Sequence, residues 1–298
     1  MLGAIIGDIV GSRYEFRPNR SKKFDLFLGE GYKENPTIEE YTKCSRFTDD
    51  TVMTIAVCKA LLDCKGDYTN LSQYTIENMQ IFGRRYPFAG YGYRFNSWLR
   101  TSNPQPYNSF GNGSAMRISA VPYFAKDMDE LKDLCKKVTE VTHNHPEGMK
   151  GAEAIAICIW FALKGKSKEE ILQYVQENYY NLDFDYEELK QTYKFDETCQ
   201  GSIPQSIYAF AISNSYEDTI RTAVSMGGDA DTMACIAGAI AEAYYGLPKE
   251  IEEQMYKFIS PDYLKLLKDL KVIIKNSYLI IKKLWNISHS FLFYLIVY

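Results

Sequence analysis

Gly227-Gly228-Asp229-Ala230-Asp231-Thr232, continuing directly into Met233-Ala234-Cys235-Ile236-Ala237-Gly238-Ala239-Ile240-Ala241, is the stretch from which the rest of the chain can be read. Two carboxylates stand two residues apart in a glycine-started turn, and a helix over 231–245 follows. The Ala234, Gly238, Ala241 spacing leaves one face of that helix almost without bulk. Such a helix can pack closely at the centre of a bundle and hold Asp229 and Asp231 rigidly. A second cluster, Thr48-Asp49-Asp50-Thr51, leads into an apolar helix from Val52 to Leu62. Taken singly, each cluster also reads as a helix N-cap, because Asp and Thr satisfy free N–H groups and suit the helix dipole. Taken together, carboxylates packed this closely repel one another unless a cation sits between them. Every candidate ligand is an oxygen, which suits Mg²⁺, Mn²⁺ or Ca²⁺ rather than zinc.

Helical periodicity dominates the remainder. It predicts a short glycine-rich helix over 2–11 and helices over 49–63 and 71–84. Further helices are expected at 114–123, 129–142, 147–164, 168–179, 203–213 and 216–226. Pro204 reads as a first-turn proline, and Gly246-Leu247-Pro248 as a stop. Residues 87–110, rich in Gly, Pro, Asn, Tyr and Ser, read as an irregular loop with a short helix near Phe95–Arg100. No run alternates cleanly with β-branched enrichment, so the expected class is all-α. One domain over 1–271 is the simplest account. Residues 272–298 form an apolar extension whose final run, Phe291–Tyr298, is too short to span a bilayer. Packing on the domain or association into a homo-oligomer is the expected role.

At 298 residues the chain can bury a substantial core, and a net charge of −4 gives no electrostatic footprint for nucleic acid. Seven cysteines, odd in number and without a Cys-x-x-Cys pair, point to a reduced, cytoplasmic protein. The apolar start lacks a basic region and is interrupted by Asp8, which argues against a signal peptide.

Five segments occur in order. They are Gly3-Ala4-Ile5-Ile6-Gly7-Asp8 running on to Glu15, Phe47-Thr48-Asp49-Asp50-Thr51, Gly111-Asn112-Gly113-Ser114-Ala115-Met116-Arg117, Thr142-His143-Asn144-His145-Pro146-Glu147-Gly148, and Gly228-Asp229-Ala230-Asp231-Thr232. Their series resembles the ADP-ribosylglycohydrolase family, which includes the dinitrogenase reductase-activating glycohydrolases, over residues 3 to about 247. The resemblance implies an all-α, single-domain orthogonal helical bundle and two divalent cations, Mg²⁺ or Mn²⁺. It implies hydrolysis of the bond between ADP-ribose and a modified acceptor, a protein or a small molecule. ADP-ribosyl-arginine is the first choice of acceptor. ADP-ribosyl-serine, O-acetyl-ADP-ribose, a modified nucleotide, or a non-catalytic ADP-ribose-binding role are the alternatives.

By the same resemblance Thr48, Asp49, Asp50, Asp229, Asp231 and Thr232 share the metals, and Glu15 is the candidate general acid or base. Asp8, two helical turns before Glu15, supports the site. Asn112, Gly113, Ser114 and Met116 form a pyrophosphate loop, with His143 near the substrate ribose or phosphate. Glycines there allow backbone N–H groups to approach an anion, though the segment is neither a Walker A sequence nor a dinucleotide fingerprint. Arg117 is read as a structural ion pair. His143 and His145 lack a third soft ligand, so zinc is not expected. One of Tyr91, Tyr93, Phe95 and Trp98 could stack on adenine. Ala230 departs from the family, where a hydroxyl residue is frequent, and is expected to point away from the metals.

Overall fold

The computed structural model describes residues 1–270, so the apolar extension and its expected role lie outside the described residues. The helices are α1 Leu2–Gly11, α2 Ile38–Lys43, α3 Asp49–Asp63, α4 Leu71–Arg85, α5 Tyr93–Arg100, α6 Gly113–Met116 and α7 Met128–Thr139. They continue as α8 Pro146–Leu163, α9 Lys168–Asn178, α10 Tyr186–Thr192, α11 Cys199–Ala211, α12 Tyr216–Ser225, α13 Ala230–Tyr245 and α14 Lys249–Met255. Residues 261–270 are also helical. Among the described residues there is no strand, only a single bridge between Gly111 and Thr198. The all-α expectation holds.

Two expectations need correction, and three helices were not foreseen. Residues 114–123 are not one helix but the single turn of α6 followed by a 3₁₀ segment, Ile118–Tyr123, with Pro122 inside it. Pro204 is interior to α11 and does not start it. The Thr198 hydroxyl caps that helix by accepting from Gly201 N, well before the proline. The polar helices α2, α10 and α14 carry too little apolar periodicity to show in the sequence. Each buries two residues or fewer.

The centre of the molecule is α13, every residue of which from Ala230 to Ala241 is buried. Helices α1, α8, α11 and α12 surround it. Its small face meets a matching one on α1, antiparallel. A Cβ on Gly3 would lie 2.5 Å from Gly238 O, one on Gly7 would overlap the Ala234 backbone, and one on Gly11 would lie 2.5 Å from Asp231 Cα. At that separation the backbones are in direct contact. Register is fixed at the far end by Glu242, which accepts from the Met1 ammonium at 2.5 Å and from Gly3 N at 2.7 Å. The packing delivers the end of α1 to the start of α13. Gly7→Ala should therefore cost about 3 kcal/mol or more, because the added methyl meets backbone and not a movable side chain. Melting should fall by roughly 5–10 °C. An unchanged melting temperature would show that the two helices can separate freely.

Candidate metal centre and its cleft

Asp8 lies near the end of α1 and is fully buried. Its carboxylate accepts from Thr48 N at 2.9 Å, Thr48 Oγ1 at 2.7 Å and Thr51 N at 3.1 Å, and also from Thr51 Oγ1. Four donors occupy its oxygens and tie the first turn of α3 to α1. Asp8 is thus engaged in holding the Thr48–Thr51 turn.

The other acidic turn is shaped by two glycines in the left-handed region, Gly227 at φ +73° and Gly228 at φ +74°. L side chains rarely adopt that conformation, and space forbids them as well. A Cβ on Gly227 would lie 2.6 Å from Arg20 Nη1, and one on Gly228 would run into the Tyr193 ring. Arg20 donates to Met226 O and to Tyr193 O, and Tyr193 donates to Gly201 O at 2.7 Å. This clamp presents Asp229 and Asp231 to the Asp50 side. Asn112 Nδ2 completes it, donating to Asp229 Oδ2 at 2.7 Å and to Ser202 Oγ at 3.1 Å.

Two groups of carboxylates result. Asp8, Asp50 and Asp231 form one, and Glu15, Asp229 and Asp231 the other, with oxygens in each lying within 4.8 Å of one another. Asp231 belongs to both. The Thr48 and Thr232 hydroxyls approach Asp50 Oδ2 at 3.3 and 3.2 Å. Asp50 Oδ1 is buried without a hydrogen-bond partner. A buried, orphaned carboxylate oxygen among further carboxylates and hydroxyls fits a hard divalent cation. Asp49 enters neither group. It is half-buried, its N–H donates to Ala89 O at 2.9 Å, and its carboxylate lines the neighbouring cleft.

Burial raises the pKa of all five aspartates. For Asp50 the charges of Asp8 and Asp231 add to it, and for Asp231 that of Asp229. Asp229 moves from 3.8 to about 6. Raised folded-state values mean that protons stabilise the metal-free protein. That stability is complete below the unfolded value near 4 and is lost as pH rises through 6 and beyond. For Asp229 alone the linkage is roughly 3 kcal/mol. The chelated protein should therefore melt roughly 5 °C or more lower at pH 8 than at pH 5. Mg²⁺ or Mn²⁺ should raise the melting temperature more at pH 8. A chelated melting temperature that is flat or rising over this range would contradict a crowded carboxylate site.

The centre opens into a cleft of about 300 Å³ whose lining includes Ser12, Glu15, Phe16, Arg46, Asp49, Gly90 and Asp231. Glu15 stands half-buried on the turn after α1. Its pKa is pushed up to about 8, first by burial and then by the charge of Asp231, with Arg46 opposing. Arg46 is held by donating to Tyr41 O at 2.8 Å and Ser12 O at 3.3 Å, and it covers the Tyr41 ring. Phe16, 76% exposed, stacks on Phe195 at the rim.

The Gly111–Arg117 segment lies beyond the carboxylates, joined to them by Asn112. Ser114 is fully buried and its hydroxyl donates to Gly148 O at 2.8 Å, so only its backbone is left to meet a ligand. Met116 is buried and Gly113 half-exposed. Arg117 is fully buried and donates to Thr142 Oγ1 at 2.7 Å. Among the described residues it makes no ion pair, which corrects that expectation. Thr142 Oγ1 in turn meets His143 Nδ1 at 2.7 Å. Among the described residues Nδ1 is the one acceptor in reach of the hydroxyl proton, which favours the tautomer with the proton on Nε2. Nε2 sits 3.5 Å from where a Cβ of Gly113 would be, so the ring faces the glycine turn. Burial, then Arg117, holds the His143 pKa well below its usual value, and the ring is neutral. His145 caps α8, accepting from Glu147 N. Phe95 and Trp98 stack within the core, Tyr91 is half-buried against Phe95, and Tyr93 is 88% exposed.

Sequence reasoning missed Arg46, Arg20 and Tyr193. Arg46 directly precedes the Phe47–Thr51 motif and could have been suspected as its neighbour. Nothing local marks Arg20, whose bond to Met226 spans 206 residues, or Tyr193, whose ring lies against Gly228.

The chain is 28% identical to "ADP-ribosylhydrolase ARH3" of Gallus gallus, covering 83% of this chain and 84% of that protein. It is 26% identical to "ADP-ribosylarginine hydrolase Tri1" of Pseudomonas putida, covering 83% and 70% respectively. Among solved structures, one described as an ADP-ribosylglycohydrolase-related protein complex superposes with a TM-score of 0.64 at 22% identity. That match covers 89% of this chain and 93% of the other, and it supports the fold. The ADP-ribosylglycohydrolase family model matches residues 1–278, and the chain belongs to that family of enzymes.

Proposed function

We propose that this enzyme hydrolyses the glycosidic bond of ADP-ribosyl-arginine on protein, using two divalent cations, Mg²⁺ or Mn²⁺. The observation that carries the reading is Asp231, shared between two carboxylate groups, one of which contains Glu15 at the mouth of a cleft. Thr48, Asp49, Asp50, Asp229, Asp231 and Thr232 are the residues to hold the cations. When bound, these supply Lewis acidity toward the ribose hydroxyls and water.

The chain's own groups account for the rest. Cleavage next to the ribose oxygen develops oxocarbenium character, and the departing or attacking atom needs proton transfer. Glu15 is placed to hold or take that proton. Asp8 positions the Thr48–Thr51 turn, and Asn112 orients Asp229. The backbone of Gly113, Ser114 and Met116, with His143 Nε2–H, is the donor set for the ADP-ribose side. An arginine acceptor is supported by the open Phe16 face beside Glu15, which suits a planar cation. It is supported also by the similarity to the Pseudomonas putida protein named as an ADP-ribosylarginine hydrolase.

Product identification by mass spectrometry tests the reading on arginine-, serine- and acetyl-linked substrates. Release of intact ADP-ribose, lost with EDTA and restored by Mg²⁺ or Mn²⁺, is the expected result. AMP as product would mean pyrophosphate hydrolysis instead, and full turnover in chelator would remove the metals.

A further inference from the structure

Beside the catalytic cleft lies a larger groove of about 780 Å³, running between residues 29–47, the 85–89 segment, Phe258 and Asp262. The two adjoin: Tyr41, Arg46 and Ala89 line both. The groove leads away from Glu15 without including any residue of the Gly111–Arg117 segment. We infer that this groove is the acceptor subsite, and that it takes an extended polypeptide segment flanking the modified side chain. The inference rests on the glycosidic-cleavage reading above, which puts the acceptor on the Glu15 side of the scissile bond.

The lining selects the class of occupant. Carboxylates Glu30, Glu34, Glu40 and Asp262 stand against Lys33, Arg46 and Arg85. Lys33 is already paired with Glu30 and Glu40, and Arg85 with Asp262. An anionic polymer needs a surplus of cations along its path, and with four carboxylates to three cations, two of them already paired, this groove has no such surplus. A small acceptor such as an acetyl group would leave the groove empty. A peptide uses it fully: aromatic walls from Tyr32, Phe47 and Phe88 receive side chains, and charges of both signs line the rim. Phe88 stands on that wall with its ring 86% exposed among the described residues.

The test compares kcat and KM of the full chain on free ADP-ribosyl-arginine and on a ten-residue peptide carrying the same modification. Matching serine-linked substrates form a second pair, and ADP-ribose linked to an oligonucleotide phosphate is a further arm. The peptide should show a KM roughly tenfold or more below that of the free amino acid. Phe88→Ala and Glu34→Ala, both at exposed positions, should each raise the peptide KM, by roughly 5–20-fold for Phe88→Ala. Neither should alter kcat or KM for the free amino acid. Equal KM values for peptide and amino acid, or variants that shift both alike, would overturn the groove while leaving glycosidic cleavage standing. A lower KM for the oligonucleotide substrate, lost in Phe88→Ala, would replace polypeptide by an anionic polymer. Cleavage of none of the substrates would overturn the functional reading itself, and the groove with it.

Discussion

Glu15→Gln should lower turnover by roughly 10²–10⁴-fold, the usual range for losing a general acid or base, while affinity for ADP-ribose changes by less than about tenfold. The substitution keeps size and hydrogen-bonding capacity and removes only the ability to cycle a proton. Its environment argues for the role: a half-buried carboxyl on a cleft wall, pushed up to about 8 by burial and by Asp231. Cations bound beside it would draw that value down, so the role rests on the carboxyl's place on the cleft wall next to Asp231. A surface Glu paired with Arg13 or Arg17 predicts nearly normal turnover, because exposed pairs contribute about 0–1 kcal/mol. The structure gives Arg13 other occupation, donating to Asp25 O and covering the Tyr14 ring. Calorimetric titration with ADP-ribose beside a cleavage assay on the same variant separates the two. Near-normal turnover would take Glu15 out of the mechanism.

What could be read from the chain followed from physics that acts over short sequence distances. The bare face of Ala234 and Gly238 announces a close helix contact, since only small side chains allow backbones to touch, and α1 is the contact it makes. The paired aspartates announce charge crowding wherever they fold, and the two clusters do converge. Other features depend on partners distant in sequence, and no local pattern encodes them. Arg20 meets Met226 and Tyr193, and Asn112 spends its amide on Asp229. Asp8 looked like a generic support, yet its four accepted bonds show that it builds the Thr48–Thr51 turn. Pro204 misled because proline is commonest in a first turn, whereas Thr198 supplies the cap here. The short helix α2 had its signal in the Thr37–Glu40 capping box, but it buries no residue and so left no apolar stripe to find.

Asp231→Asn should reduce turnover on the order of 10²-fold or more, because the one carboxylate common to both groups loses its charge. The effect on the metal-free protein should have the opposite sign. Asp231 lies with Asp8 and Asp50 in one group and with Asp229 in the other, and burial together with the charges of Asp229 and Asp8 raises its pKa well above the usual carboxylate value. An amide there relieves repulsion, so melting in chelator should hold or rise. The gain should be larger at pH 8 than at pH 5, where protons already neutralise part of the cluster. Added Mg²⁺ or Mn²⁺ should then stabilise the variant less than the parent, since a ligand that binds only the folded state stabilises in proportion to its affinity. The bland alternative is that Asp231 serves only the α13 terminus, where it accepts from Thr232 N at 3.0 Å. An asparagine would keep that bond through its carbonyl oxygen. Wild-type turnover, with metal stabilisation undiminished, would then be the outcome, and it would assign Asp231 to the helix and not to the chemistry.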